Sequence, residues 1–134
     1  MSAAERFFDT NVLLYLLSAD ESKSGRAEEE LGAGGILSVQ VLNEFAAVAS
    51  RKLKMSLAEI REVLTALRAV CKVVPITEET HDKGLEVAEK YGLSIYDAMI
   101  IASALLSGCN TVLSEDMQDG QTLDGILQIR NPFC

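Results

Sequence analysis

Short apolar runs alternate with amphipathic segments along the chain, and this alternation constrains the fold more than any other feature. Runs typical of β-strands are "ERFF", "ILSV", "KVVPI", "TVLS" and "ILQIRN". The segments between them carry apolar residues at helical spacing. Strands that alternate with helices form mainly parallel sheets covered by helices. We therefore predict an α/β fold, a single domain over residues 1–134 in which helices flank a parallel sheet as a three-layer sandwich.

Capping residues and glycines set the bounds of the predicted helices. The last helix is apolar almost all round, which predicts deep burial. We expect helices from Asp9 through "VLLYLLS", from about Ser22 to Leu31, from about Val39 to Leu53, from Ser56 onward, from Thr77 to Gly92 and from Ser94 to Gly108.

The bulk composition is that of a globular protein with a sizeable core. The chain has 134 residues, of which 49% are hydrophobic. Its apolar stretches are too short to span a bilayer, and charged residues interrupt the region where a secretory signal would lie. We expect a cytoplasmic protein without membrane association. Cys71 and Cys109 are interpreted as buried thiols, and a single histidine, His81, argues against a zinc site.

The charge distribution is uneven. The net charge is −8, whereas a nucleic-acid-binding protein usually presents a basic face. Residues 51–72 nevertheless hold six basic residues against two acidic ones. Ordinary solvated helix charges explain this stretch as well as a strip that contacts phosphates does. Under the second interpretation, the expected RNA-binding residues are Arg51, Lys52 and Lys54.

Four acidic residues lie beside apolar runs: Asp9, Glu44, Asp97 and Asp116. Asp9 follows the first predicted strand and Asp116 the fourth, so both belong to the sheet edge where ligands collect in such folds. Asp97 lies in the first turn of the buried helix, and Glu44 on the helix after the second strand. Each also has a structural interpretation, as a helix cap, a core border or a turn residue. Their common position at one end of the sheet favours a shared site.

A cluster of carboxylates needs positive charge nearby. Two carboxylates about 5 Å apart repel by roughly 3 kcal/mol at an effective dielectric constant near 20. Only one Lys or Arg, Arg6, lies within four residues of any of the four acids. An all-oxygen site selects Mg²⁺ or Mn²⁺, and either ion can activate water for attack on a phosphodiester. Asn11 and Ser114 would orient such a water or a phosphate oxygen, with ordinary capping or turn bonding as the alternative.

Taken together, these elements resemble those of the PIN-domain nucleases. The shared elements are Asp9-Thr10-Asn11 after the first strand, the mid-chain Glu44, "YDAMIIA" with Asp97, and "LSEDMQDGQ" with Asp116. The closing "LQIRNPF" and the length are similar to those of VapC-type toxins of bacterial toxin–antitoxin pairs. The resemblance covers nearly the whole chain. "DTN" alone is a weak signal, and the four acidic elements in this order are a specific one.

The resemblance implies an endoribonuclease that hydrolyses RNA phosphodiester bonds with Mg²⁺ or Mn²⁺. It further implies a cognate antitoxin that neutralises the enzyme, and often a homodimer. Asp119 falls where relatives vary and is given no role. The matching positions are Asp9, Glu44, Asp97 and Asp116 for the catalytic, metal-binding set, and Asn11 and Ser114 for the supporting polar set.

Three alternatives compete with this interpretation. A non-catalytic PIN-like interaction module would use the apolar helices of residues 39–70 as a groove for a partner helix. An antitoxin segment could occupy the same groove, and the same helices favour a dimer. A signalling receiver domain would need a phosphoacceptor Asp after its central strand, but "PITEE" ends the third strand. A phosphatase of the DxDxT type would need a second Asp where Asn11 stands.

Overall fold

Strands and helices follow one another in the predicted alternation. The computed structural model describes residues 5–134, so residues 1–4 of the predicted domain lie outside the described residues. The α/β fold with a mainly parallel sheet is confirmed. The elements are β1 (Arg6–Phe8), α1 (Thr10–Leu14), a 3-10 helix (Tyr15–Leu17), α2 (Glu21–Gly32), β2 (Gly35–Ser38), α3 (Val39–Arg51), α4 (Leu57–Val70), β3 (Cys71–Val74), α5 (Glu78–Tyr91), α6 (Ile95–Leu106), β4 (Thr111–Leu113), β5 (Thr122–Leu123) and β6 (Leu127–Arg130).

The sheet has the strand order β3-β2-β1-β4-β6-β5. All neighbouring pairs are parallel except β5 and β6, which are antiparallel. The chain lays β2 and β3 on one side of β1 and then returns to place β4 on the other side. This reversal creates a crevice at the carboxyl ends of β1 and β4, which is where ligands bind in open α/β sheets.

The helices form two packed groups. Helices α1 to α4 contact one another, and α5 packs along α6. Right-handed crossovers place these groups on opposite faces of the sheet. Gly84 lies where α5 meets α6: a Cβ atom there would lie 2.4 Å from Sδ of Met99, so the Met99 side chain would have to move. Helix α6 has buried residues from Ala98 to Ala104, as its apolar sequence predicts.

The structure differs from the sequence prediction in three places. The predicted first helix is divided, since α1 ends at Leu14 and a 3-10 helix follows. Helix α3 ends at Arg51 rather than Leu53, and Lys54 has a positive φ of 57° in the loop beyond it. Strand β5 was not predicted, because two residues on a sheet edge carry no periodic signal.

Several smaller predictions are confirmed. Helix α4 begins with a capping box at Ser56, and α5 ends at Gly92 in the left-handed conformation. Cys71 and Cys109 carry buried thiol groups, and His81 is exposed. Within residues 5–134, no helix combines the length and the apolar character that crossing a membrane requires.

Candidate functional site

The crevice between β1 and β4 brings Asp9 beside Ser114. Phe8 and Leu113 are paired in register, and the Asp9 amide donates to the Leu113 carbonyl at 3.0 Å. Ser114 Oγ then donates to Asp9 Oδ2 at 2.7 Å. Asp9 is also the N-cap of α1, where its Oδ1 accepts from the Thr10 amide at 2.7 Å. Asp9 therefore caps α1 and lies at the sheet edge next to Ser114, while its catalytic role stays a prediction.

Asn11 connects two of the acidic side chains. Its Nδ2 lies 3.3 Å from Asp9 Oδ2 and 3.1 Å from Asp116 Oδ2. Its Oδ1 accepts from the Glu115 amide at 3.1 Å. Ser114 Oγ also accepts from the Asp116 amide at 3.2 Å. The two predicted polar residues thus lie among the acids, while their functional role stays a prediction.

Glu44 and Asp97 complete one wall of the cleft. Glu44 Oε2 accepts from Thr10 Oγ1 at 3.0 Å, and Oε1 accepts from Gln40 Nε2 at 2.7 Å. Asp97 lies in the first turn of α6, where its amide donates to Ser94 Oγ at 3.2 Å. A cleft of about 280 Å³ is lined by all four predicted acids, Asp9, Glu44, Asp97 and Asp116, together with Thr10, Asn11, Leu14, Ala47, Val48 and Arg51.

Two residues that orient Glu44 are absent from the predicted site. Thr10 belongs to the "DTN" element but has no predicted role of its own, and Gln40 has none either. Gln40 could have been found, because it stands four residues before Glu44 and therefore shares its helix face. Gln40 Nε2 also donates to the Tyr96 carbonyl at 3.2 Å, which links α3 to the start of α6 beside Asp97.

Burial and mutual repulsion raise the pKa of two acids in the cleft. The pKa of Asp9 rises from 3.8 to about 6, chiefly because the side chain is buried. The charges of Asp97 and Asp116 add to the rise, whereas hydrogen bonds from Ser114 and Thr10 oppose it. Burial also raises the pKa of Asp97, and the Asp116 and Glu44 charges act in the same direction. The cleft is therefore a site of concentrated negative charge.

In the part of the chain that the structure describes, the four acids of this cleft have no Lys or Arg partner. No ion pair within residues 5–134 involves any of the four acids. Arg6, the nearest cation in sequence, pairs with Glu30 at 3.0 Å instead. The exposed Arg51 lines the cleft without forming an ion pair there.

The donor set suits a hard divalent cation. It consists of carboxylate, amide and hydroxyl oxygens. The one histidine of the sequence, His81, is exposed on α5 and does not line the cleft. Asp9 and Asp116 already direct oxygens to one shared donor, Nδ2 of Asn11. With the side chains as placed, no three Asp, Glu, His or Cys residues among 5–134 are grouped closely enough to hold a metal ion. The chemistry of the residues fits Mg²⁺ or Mn²⁺.

The predicted basic residues border this site. Arg51 lines the acidic cleft, and Lys52 lines an adjoining groove of about 320 Å³. We call this second space the apolar groove; its lining includes Leu14, Leu17, Val48 and Leu53, and it reaches Asp116. Arg51, Lys52 and Lys54 are all exposed, and none of them pairs with an acid of the described chain.

Asp119, to which no role was assigned, braces the C-terminal segment. Its Oδ1 accepts from the Asn131 amide at 2.9 Å. It does not line the acidic cleft.

Comparison with known proteins identifies the family. The PIN-domain family profile matches residues 6–118, and the chain therefore belongs to the PIN-domain family. A search of curated proteins gave no match. The sheet order also argues against a receiver domain, because β3 is an edge strand rather than a central one.

Solved structures share the fold. A toxin–antitoxin complex from Klebsiella pneumoniae aligns with a TM-score of 0.71 and 20% identity over 95% of this chain and 97% of that chain. FitAcB from Neisseria gonorrhoeae aligns with a TM-score of 0.67 and 18% identity over 96% and 98%. VapC20 of Mycobacterium tuberculosis, described as a sarcin–ricin loop cleaving toxin, aligns with a TM-score of 0.66 and 19% identity over 83% and 91%. At these identities the likeness demonstrates a common fold.

Proposed function

We propose that this protein is an endoribonuclease that depends on Mg²⁺ or Mn²⁺ and acts as the toxin of a VapBC-type toxin–antitoxin pair. One observation carries the proposal: four carboxylates line a single cleft at the switch point of the sheet, and no Lys or Arg among residues 5–134 pairs with them. Membership of the PIN-domain family supports it.

The acids divide into two roles under this proposal. Asp9 and Asp97 would hold the ion directly, and Glu44 and Asp116 would complete the site directly or through water. When bound, the ion supplies a water activated for attack and stabilises the charge that develops on the phosphate. The hydrogen bonds from Ser114 and the Thr10 amide keep Asp9 oriented.

The serine in this site is unsuited to act as a nucleophile. Ser114 Oγ donates to Asp9 and accepts from two backbone amides, at Asp116 and Met117. It is fully buried, and no lysine or histidine contacts it in the described chain. A hydroxyl nucleophile needs an adjacent base, so hydrolysis by water is the better-supported reaction.

The RNA path follows the exposed cations at the rim. Arg51 touches the cleft itself, while Lys52 and Lys54 follow it at the end of α3. Contacts of these side chains with phosphates would offset the repulsion between RNA and an acidic protein of net charge −8.

The apolar groove supports the antitoxin part of the proposal. It shares Asn11, Leu14, Val48 and Asp116 with the acidic cleft. An antitoxin segment with apolar side chains would therefore lie against the cleft and block it. The same groove is the observation that favours the second candidate, a non-catalytic interaction module.

A homodimer would bury a different exposed apolar surface. Val39, Ile76 and Tyr96 line a depression of about 630 Å³ that also reaches Glu44, and Tyr96 is 71% exposed. Exposed apolar patches of this kind mark protein interfaces. Sedimentation analysis of the purified protein, with and without Tyr96→Glu, tests this assembly.

Incubation with total RNA tests the activity. We expect cleavage with Mg²⁺ or Mn²⁺, loss of cleavage in EDTA and recovery when the metal is restored, with mapped ends at a limited set of positions. Asp97→Asn, purified in the same way, is the matched control: it should not cleave, so cleavage in this sample would reveal a contaminating nuclease. Cleavage that persists in EDTA would contradict the proposal. A pure interaction module would show neither cleavage nor thermal stabilisation by Mn²⁺.

A further inference from the structure

Glu115 stands between two residues of the site, Ser114 and Asp116, but does not line the acidic cleft. Its carboxylate accepts hydrogen bonds from the Tyr15 hydroxyl at Oε1 and from Lys23 Nζ, 3.2 Å away, at Oε2. Lys23 Nζ also donates to the Tyr15 hydroxyl at 3.1 Å. We call these three residues the Glu115 clamp. It ties the loop after β4 to the segment after α1.

The backbone of Glu115 fixes the orientation of a neighbouring amide. Its N–H donates to Asn11 Oδ1 at 3.1 Å. Because Oδ1 is occupied in this way, Nδ2 of Asn11 faces the carboxylates of Asp9 and Asp116. Displacement of Glu115 would therefore change the positions of Asn11 and Asp116 together.

The C-terminal segment supports the clamp from its far side. The Phe133 ring packs against the Tyr15 ring with centroids 4.5 Å apart. Arg26 Nε holds the Pro132 carbonyl at 2.8 Å, which anchors this segment on α2. Tyr15 is thus restrained through both its ring and its hydroxyl, as a rigid support requires.

We infer that Glu115 is a positioning residue whose side chain, held by Tyr15 and Lys23, fixes Asn11 and Asp116 and thereby sets the affinity of the acidic cleft for divalent cations. This inference rests on the proposed function. It concerns residues that do not contact the cation, and it assigns a role to Tyr15, Lys23 and the C-terminal segment.

Calorimetric titration with Mn²⁺ tests the inference without depending on catalysis. Loss of a hydrogen bond to a charged group corresponds to about a tenfold change in an equilibrium. We expect Glu115→Ala to weaken Mn²⁺ binding by about tenfold and Tyr15→Phe by about threefold to tenfold. The double variant should lose little more than Glu115→Ala alone, because the two side chains act as one unit.

Two further variants separate positioning from other effects. Glu115→Gln removes the same charge as Glu115→Ala but retains an oxygen that can accept from Tyr15, so it should recover most of the Mn²⁺ affinity. Tyr91→Phe removes a comparable tyrosine–carboxylate bond, to Asp124, and neither of these two residues lines the acidic cleft. It should lower thermal stability and leave Mn²⁺ affinity unchanged.

The outcomes distinguish this inference from the proposed function. Wild-type affinity in folded Glu115→Ala and Tyr15→Phe would overturn the inference and leave EDTA-sensitive cleavage by the wild type intact. If Glu115→Gln does not recover Mn²⁺ affinity, the negative charge of Glu115 sets that affinity rather than its hydrogen bond with Tyr15, and the inference is overturned. A wild-type protein that binds no Mn²⁺ would overturn both. If Glu115→Ala does not fold, Tyr15→Phe decides the question.

Discussion

Asp9 and Asp124 each directly follow a strand of the same sheet, but Asp124 has basic neighbours and Asp9 has acidic ones. Asp124, in the turn between β5 and β6, accepts from the Tyr91 hydroxyl at 2.8 Å and lies 3.2 and 3.1 Å from Nζ of Lys83 and Lys90. These partners, Tyr91 first, lower its pKa to about 2. Asp9 is only 6% exposed, has acidic neighbours and has a pKa raised to about 6.

The difference shows how this chain distributes positive charge. Where a carboxylate braces the fold, as Asp124 does between α5 and the β5–β6 turn, two lysines neutralise it. At the cleft, four carboxylates share no such partner among residues 5–134. Burial of a carboxylate without a counter-charge opposes folding, so the cluster of acids at this crevice supports the proposal that an external cation completes the site.

The largest expected effect comes from Asp9→Asn. The substitution keeps the shape of the side chain and removes the charge, so RNA cleavage should fall by at least about 100-fold, as losses of charge stabilisation at active sites do. Free energies of unfolding measured in urea with EDTA should be equal to or higher than those of the wild type, because the variant no longer buries a charge and repulsion by Asp97 and Asp116 is relieved.

Asp124→Asn is the matched control, since it removes one carboxylate of the same fold from a site with cations. It should cleave RNA at the wild-type rate. Normal RNA cleavage by Asp9→Asn, or an equal loss of cleavage in Asp9→Asn and Asp124→Asn, would show that the acidic cleft and the Asp124 region do not differ in function.

The second prediction concerns pH. Folded Asp9 retains its proton up to about pH 6, whereas an unfolded Asp loses it near 3.8. The folded state therefore binds more protons in this window, and this group should lower metal-free stability by about 2 kcal/mol as pH rises from about 4 to about 6. Denaturation in EDTA across this range measures the fall.

Asp124 has the opposite sign. Because its pKa is lowered from 3.8 to about 2, ionised Asp124 stabilises the folded state at pH values above 3.8. This contribution is lost as pH falls from about 4 to about 2. Asp9→Asn should remove the part of the stability loss between pH 4 and 6 that comes from Asp9, and it should leave the acid limb unchanged. Equal pH dependence of stability in the wild type and in Asp9→Asn between pH 4 and 6 would contradict the assignment of Asp9 as a buried acid without a counter-charge.

The same contrast explains what the sequence could predict. Asp9 and Asp116 could be assigned to one edge of the sheet, because parallel strands place their carboxyl ends together. Glu44 was less constrained, since its hydrogen bond with Thr10 joins α1 to α3, and no local pattern specifies how these two helices pack. The Asp124 partners come from α5, 33 to 41 residues earlier in the chain. Such distant pairings depend on tertiary packing, and for the same reason the Glu115 clamp was not predicted.

The third prediction compares cations at the two regions. Lys52 and Lys54 are exposed and free of ion pairs within the described chain, whereas Lys83 and Lys90 are paired with Asp124. Lys52→Gln with Lys54→Gln should weaken RNA binding by up to about tenfold. The slope of log K against log salt should flatten by about 1.4, because two fewer phosphates of a single strand are neutralised.

Lys83→Gln with Lys90→Gln changes the net charge by the same amount and is the control. Its RNA affinity and salt slope should remain close to those of the wild type, as measured by fluorescence anisotropy at several salt concentrations. Equal effects of both pairs would show that only net charge matters.

The smallest expected effect is on stability, in Asp124→Asn. Asparagine tolerates the positive φ of 51° at this position, so the backbone conformation is retained. The variant loses two partly exposed ion pairs and weakens the bond from Tyr91, which should lower the free energy of unfolding at neutral pH by roughly 1 kcal/mol. Addition of Mn²⁺ should stabilise this variant as much as the wild type. A stability loss that Mn²⁺ reverses would mean that the Asp124 region and the acidic cleft are coupled, and that this fold does not separate bracing carboxylates from those of the site.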